Sequence, residues 1–177
     1  MSSQFDDSIA WFENDGAADP SFTRFVVSIS ADGVQAVHAA DVDGDGDLDL
    51  LAASRLDDSV TWFENETIHE SAIYPRQRVV SASAASARSV STGDVDGDGD
   101  LDLVSASFGD DAIAWYENDD ADDPSFTRIE VSTLADGAVS VHVGDVDGDG
   151  DLDLLSASFH DDTVAWYENA GGLGPSY

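Results

Sequence analysis

Apolar and polar residues alternate with a period of two along most of the chain, the spacing of half-buried strands and not of helices. Val139, Val141 and Val143 are separated by Ser140 and His142 and lead into an acidic loop. Leu152-Asp-Leu-Leu-Ser-Ala-Ser158 follows, then a turn at His160-Asp-Asp162, then Thr163-Val-Ala-Trp-Tyr-Glu-Asn169. The last of these is β-branched and aromatic, the composition strands prefer. A fourth strand is predicted where other parts of the chain read Phe22-Thr-Arg-Phe-Val-Val27 and Phe126-Thr-Arg-Ile-Glu-Val131. No segment of helical length carries a 3.6-residue period, so the chain reads as all-β.

The pattern repeats. The tetrad Trp-aromatic-Glu-Asn begins at Trp11, Trp62, Trp115 and Trp166, at spacings of 51, 53 and 51 residues. Asp-Val-Asp-Gly-Asp-Gly-Asp-Leu-Asp-Leu begins at Asp41, Asp94 and Asp145, and the two-residue excess falls in the variable stretch Glu66 to Arg78. Four short antiparallel strands in about 50 residues predict a β-propeller blade. A blade buries its faces only by stacking on its neighbours, so the Trp-bearing strand is apolar on both sides: Ala114 and Tyr116 face one way, Ile113 and Trp115 the other.

The units run over residues 1–33 (partial), 34–86, 87–137 and 138–177 (partial) of a single repeat domain, about thirteen strands or three blades. Propellers have four to eight blades. The chain is therefore expected to be a piece of a longer array or, as the favoured reading, to self-associate so that two copies complete a ring of six or seven blades.

In the first acidic loop Asp41, Asp43 and Asp45 place three carboxylates inside a tight turn, where Gly46 allows the chain to reverse. Position seven, Asp47, offers its backbone carbonyl. Asp49 returns a carboxylate from the next strand, with Leu48 and Leu50 expected to point to the core. The same nine-residue pattern spans Asp94 to Asp102 and Asp145 to Asp153. These hard oxygen donors suit Ca²⁺ and not zinc, implying about three ions per chain. Two carboxylates about 5 Å apart repel by roughly 3 kcal/mol at an effective dielectric near 20, so five Asp in nine residues call for a cation. An EF-hand is excluded because its twelfth position is acidic, whereas here it holds Ala52, Ser105 and Ser156.

Charge narrows the partners. Six basic residues, all Arg, stand against 38 acidic ones for a net charge of −32, which opposes nucleic acid and anionic membrane. Three bound Ca²⁺ would leave about −26, so most of the acidity has another origin. The chain has no Cys, hence no disulfides or thiolate sites. Residues 1–7 lack a basic region and an apolar run, so no signal peptide is expected, nor a stretch of membrane-spanning length.

Gly-Asp-Val-Asp-Gly-Asp-Gly-Asp-Leu-Asp-Leu followed by Trp-Tyr-Glu-Asn resembles the FG-GAP/VCBS repeat over nearly the whole chain. Related repeats form the seven-bladed propellers of integrin α subunits and of some lectins. The resemblance implies that the loop joins the first two strands of a blade and that its Asp residues ligate Ca²⁺. These would be Asp41, Asp43, Asp45, Asp47 and Asp49, then Asp94, Asp96, Asp98, Asp100 and Asp102, then Asp145, Asp147, Asp149, Asp151 and Asp153. It further implies a non-catalytic, extracellular or cell-surface module for adhesion or for recognition of a protein or glycan ligand. The alternatives are a propeller enzyme acting on polysaccharide and a purely structural cassette of a larger surface protein.

Other residues have plainer readings. The four Trp are expected in the core and not as sugar platforms, and the Glu and Asn after them in turn and inter-strand hydrogen bonds. His38 and His142, on the innermost strand, are expected to pack or face solvent. The pairs Asp6-Asp7, Asp57-Asp58, Asp110-Asp111 and Asp161-Asp162 recur at one hairpin, where Asp is favoured by side-chain to backbone bonding. Catalysis needs a singular constellation, so no catalytic residue is expected. Glu66 to Arg78, with His69, Tyr74, Arg76 and Arg78, is either a recognition loop or a drifted connection.

Overall fold

The computed structural model describes residues 2–3, 7–66, 72–119, 121 and 124–171. These residues form fourteen strands in four antiparallel sheets, with no helix among them. The first blade comprises β1 (Ser2–Ser3), β2 (Ser8–Asn14) and β3 (Phe22–Ser28). The second comprises β4 (Val34–Ala40), β5 (Asp49–Ser54), β6 (Ser59–Glu64) and β7 (Arg76–Ser81). The third comprises β8 (Ala87–Gly93), β9 (Asp102–Ser107), β10 (Ala112–Asn118) and β11 (Phe126–Ser132). The fourth comprises β12 (Ala138–Gly144), β13 (Asp153–Ser158) and β14 (Val164–Tyr167). The strand beyond the thirteen expected is the two-residue β1, which pairs with Ser8 and Ile9 as the second strand of its blade.

Register repeats from blade to blade. Trp62 and Trp115 pair with Leu51 and Val104 on one side and with Arg78 and Ile129 on the other. Each complete blade has an irregularity in its first strand, at Val34/Ala36 and Ala87/Ser89, and another in its third, at Val60/Thr61 and Ile113/Ala114. Such bulges increase strand twist. The first strands are neighbours, β8 lying against both β4 and β12.

The cores lie between blades. Ala114 and Tyr116 join Val60 and Trp62 in a cluster between the second and third blades, while Ile113 and Trp115 join Val141 and Leu154 between the third and fourth. This is the division of faces the alternation predicts. Trp62 and Trp115 are fully buried, and each represents on the order of 5 kcal/mol of transfer free energy at 25 cal/mol per Å². Leu50 packs into the cluster between the first two blades. Leu48, expected in the core, is exposed. Its equivalents Leu101 and Leu152 pack against loop and first-strand residues of the preceding blade, and the first blade has no first strand among the described residues.

Candidate metal centre

Each acidic loop leaves a first strand, turns tightly and enters a second strand. In the first loop Gly44 and Gly46 take φ of 72° and 95°, a region open to glycine and costly to residues with a Cβ. Aspartates close the turn on themselves: Asp45 N donates to Asp43 Oδ1, Asp47 N to Asp45 Oδ1 and Gly46 N to Asp41 Oδ2.

The result is three carboxylates converging in each loop. Asp41, Asp43 and Asp45 each offer an oxygen within 4.8 Å of the other two, as do Asp94, Asp96 and Asp98, and Asp145, Asp147 and Asp149. Burial, followed by the charges of neighbouring aspartates, raises the pKa of Asp43 and Asp96. The oxygens Asp41 Oδ1 and Asp94 Oδ1 are buried and accept no hydrogen bond. An anionic oxygen so placed is costly, and a divalent cation held by hard oxygen donors answers both the orphaned atoms and the crowding. The residues present therefore fit a Ca²⁺ ion. The residues of the third triplet are all exposed, and both oxygens of Asp145 accept backbone amides, from Gly148 and Gly150.

The remaining expected ligands stand outside these triplets. Asp47, Asp100 and Asp151 follow them in the turn. Asp49, Asp102 and Asp153 are buried and fasten the loop to the blade. Asp49 Oδ2 accepts Val42 N at 3.1 Å and its Oδ1 accepts Asn65 N at 2.7 Å. The same pair of bonds recurs at Asp102 with Val95 and Asn118, and at Asp153 with Val146 and Asn169. Burial pushes Asp49 and Asp102 up to about 6, against the lowering effect of those bonds. At Asp153 burial also raises the pKa, but the bonds from Asn169 and Val146 contribute to a net lowering. Its side chain is equally covered, yet the fourth blade has no further blade beside it among the described residues.

The Asn of each tetrad extends this latch. Asn65 Nδ2 donates to Leu48 O, Asn118 Nδ2 to Leu101 O and to Val42 O of the preceding blade, and Asn169 Nδ2 to Leu152 O and Val95 O. Val42 and Val95 are themselves in the inter-blade cores. The loops are thus clamped between blades.

The family model described as the FG-GAP-like repeat matches the chain three times, at residues 2–52, 41–105 and 94–156. The chain belongs to the FG-GAP-like repeat family. Each of the later two FG-GAP-like matches begins at an acidic loop and runs through the next one, so each covers two loops and the strands between them. A search of curated proteins gives no match.

The remaining candidates in these FG-GAP-like units fall into place. Trp11 is half-buried and stacks on Phe25, with ring centroids 4.7 Å apart, whereas Trp166 is 46% exposed. His38 Nε2 lies 3.1 Å from Thr92 Oγ1, and burial, then the nearby His142, lowers its pKa. Arg76 and Arg78 both pair with Glu64, and Arg78 also lies over the Trp62 ring. His69 lies outside the described residues. The Asp-Asp hairpins had a role the periodicity did not reveal. Asp7, Asp58 and Asp111 take φ of 51–56°, and each accepts the backbone amide of the residue just before the first strand of the next blade, Gly33, Ser86 and Gly137 respectively.

Proposed function

We propose that the chain is a calcium-stabilised, non-catalytic recognition module that works outside the cell. The observation that carries this reading is the converging aspartate triplet, three times over, with buried carboxylate oxygens left without a hydrogen-bond donor in the first two. Asp41, Asp43 and Asp45, with their equivalents, supply carboxylates to Ca²⁺. The backbone carbonyls of Asp47, Asp100 and Asp151 add a donor. Asp49, Asp102 and Asp153 hold the loop ends and keep acceptor capacity beyond their two amide bonds, since a carboxylate offers about four acceptor sites.

A bound ion neutralises crowded charge and fixes a loop already tied to two blades, so it stabilises the stack and not one hairpin. The millimolar calcium of extracellular fluids suits exposed loops of this kind, and family membership agrees with a surface setting. A non-catalytic role is supported by the recurrence of the carboxylates at equivalent positions, where they serve hairpins, latches and triplets. The ligand we propose is a protein or a glycan.

Thermal unfolding by circular dichroism in 10 mM Ca²⁺ and in excess EGTA tests the metal reading. With dissociation constants near 0.1 mM each site adds about 2.7 kcal/mol, a large part of a typical domain's stability. A steep fall in Tm in EGTA is expected. An unchanged melt would remove the basis of the proposal. A glycan array and a pull-down with immobilised extracellular proteins, each with and without calcium, then test the recognition role.

A further inference from the structure

The two outer blades show opposite halves of one interface. Trp62 and Trp115 are 0% and 1% exposed, covered by the fourth strand of their own blade and by the next blade, whereas the equivalent Trp166, which has neither among the described residues, is 46% exposed. Val164 and Val146 in the fourth blade are 80% and 46% exposed, while the equivalents Val60 and Val42 are 0% and 2%. On the first blade Phe12 and Phe22 are 38% and 59% exposed, although the Phe12 equivalents Phe63 and Tyr116 are buried against the preceding blade. The Phe22 equivalent Phe126 meets Trp62 of the preceding blade edge-on, with ring centroids 6.2 Å apart.

We infer that the forward face of the fourth blade, centred on Val164 and Trp166, docks head-to-tail on the rear face of the first blade of a second copy, centred on Phe12 and Phe22. A second copy fits this face because it offers the same kind of surface that covers it at the blade boundaries inside the chain. Phe22 of one copy meets Trp166 of the other as Phe126 meets Trp62. Asn14 completes the joint. Asn118 and Asn169 each donate to the carbonyl of the loop valine in the preceding blade, and Asn14 is positioned to donate to that of Val146, its Oδ1 already accepting Gly16 N as Asn169 Oδ1 accepts Gly171 N. Such an interface is heterologous and gives a ring if the rotation closes. A net charge of −32 on each copy opposes the union, so screening by salt strengthens it. The inference rests on packing and stands apart from the identity of the bound ion.

The experiment is sedimentation equilibrium of the 177-residue chain at 1–100 μM in 1 M NaCl and 10 mM CaCl₂, with Trp166→Ser and Phe22→Ser variants alone and mixed. Val164→Ser replaces Trp166→Ser if the latter fails to show the wild-type circular dichroism spectrum. The wild type is expected at twice the 18.6 kDa of one chain or above. Each variant alone lacks one half of every joint and is expected to be monomeric. Their mixture restores one intact joint, the Trp166 face of one variant on the Phe22 face of the other, and is expected to give a two-chain species. A monomeric wild type at 100 μM overturns the inference. So does an oligomer indifferent to both substitutions, or a mixture that stays monomeric.

Discussion

Asp58 Oδ1 accepts a hydrogen bond from Ser86 N at 2.7 Å, tying the hairpin of one blade to the start of the next. The Asp58 carbonyl also accepts Ala84 N at 3.0 Å, so one residue at φ 52° makes two bonds across the boundary. Asn keeps both the left-handed conformation and the acceptor, Gly keeps only the conformation, and Ala keeps neither. The expected order of stability, highest first, is wild type, Asp58→Asn, Asp58→Gly, Asp58→Ala, with the last costing about 1–3 kcal/mol. Urea titration of the four proteins checks it, and an alanine variant as stable as the wild type would show the contact to be idle.

The three loops should not contribute equally. Asp43→Ala and Asp96→Ala remove a carboxylate from triplets that are partly covered, whereas Asp147→Ala acts on an exposed one. Each variant is expected to lower calorimetric calcium stoichiometry from about three to about two per chain. The first two should lower Tm in calcium more than the third. Equal losses of Tm would mean that loop burial does not set the strength of coupling to the fold.

Acid should affect the calcium-free and calcium-bound proteins in opposite directions. Asp49 and Asp102 have folded pKa values of about 6 against an ordinary 3.8, so the folded state holds more protons than the unfolded one between those limits. Their stabilising contribution is full below about pH 4 and is lost as pH rises through 6. The difference corresponds to roughly 3 kcal/mol per group. Protein stripped of calcium at neutral pH and transferred to calcium-free buffer is therefore expected to melt higher at pH 5 than at pH 7. In calcium the advantage reverses, because protons compete with the ion for carboxylates. Melting curves at both pH values, of the stripped protein with and without added Ca²⁺, check the sign.

Packing between blades can be probed with one methyl group. A Cβ at Gly93 would lie 2.6 Å from Val143 Cγ1 and 3.1 Å from Leu152 Cδ1, in the next blade. At the equivalent Gly144 it would meet only His142 Nε2, at 4.0 Å. Gly93→Ala is expected to cost about 1–3 kcal/mol by overpacking, and Gly144→Ala to be close to neutral. Similar denaturation midpoints for the two variants would contradict the blade spacing described above.

Much of this arrangement was legible in the chain because strands have a strict two-residue period. Alternation at Ile113 to Tyr116 gave two apolar faces, and both are buried against different blades. The triplets were legible because their three members lie within five residues, so local turn geometry alone brings them together. The latches were not. Asp49 meets an amide 16 residues later, Asp58 one 28 residues later, and Asn118 a carbonyl 76 residues earlier. No local pattern encodes such partners, and in each case the visible signal was only that the same polar residue recurs at the same position. The exposed Leu48 shows the converse limit. Alternation tells which way a side chain points and says nothing of whether a neighbour is there to cover it.

The joint formed by Asn118 with Val42 is made again by Asn169 with Val95, by the same residue types at the same register. This joint by itself carries no information about which blade is which. Deletion or duplication of one whole unit would leave it in place at every surviving boundary, while positions that differ between units, such as Ala40 and Gly93, would meet new neighbours. The asparagine joint makes the units stackable, and the apolar positions around it decide which units stack without strain.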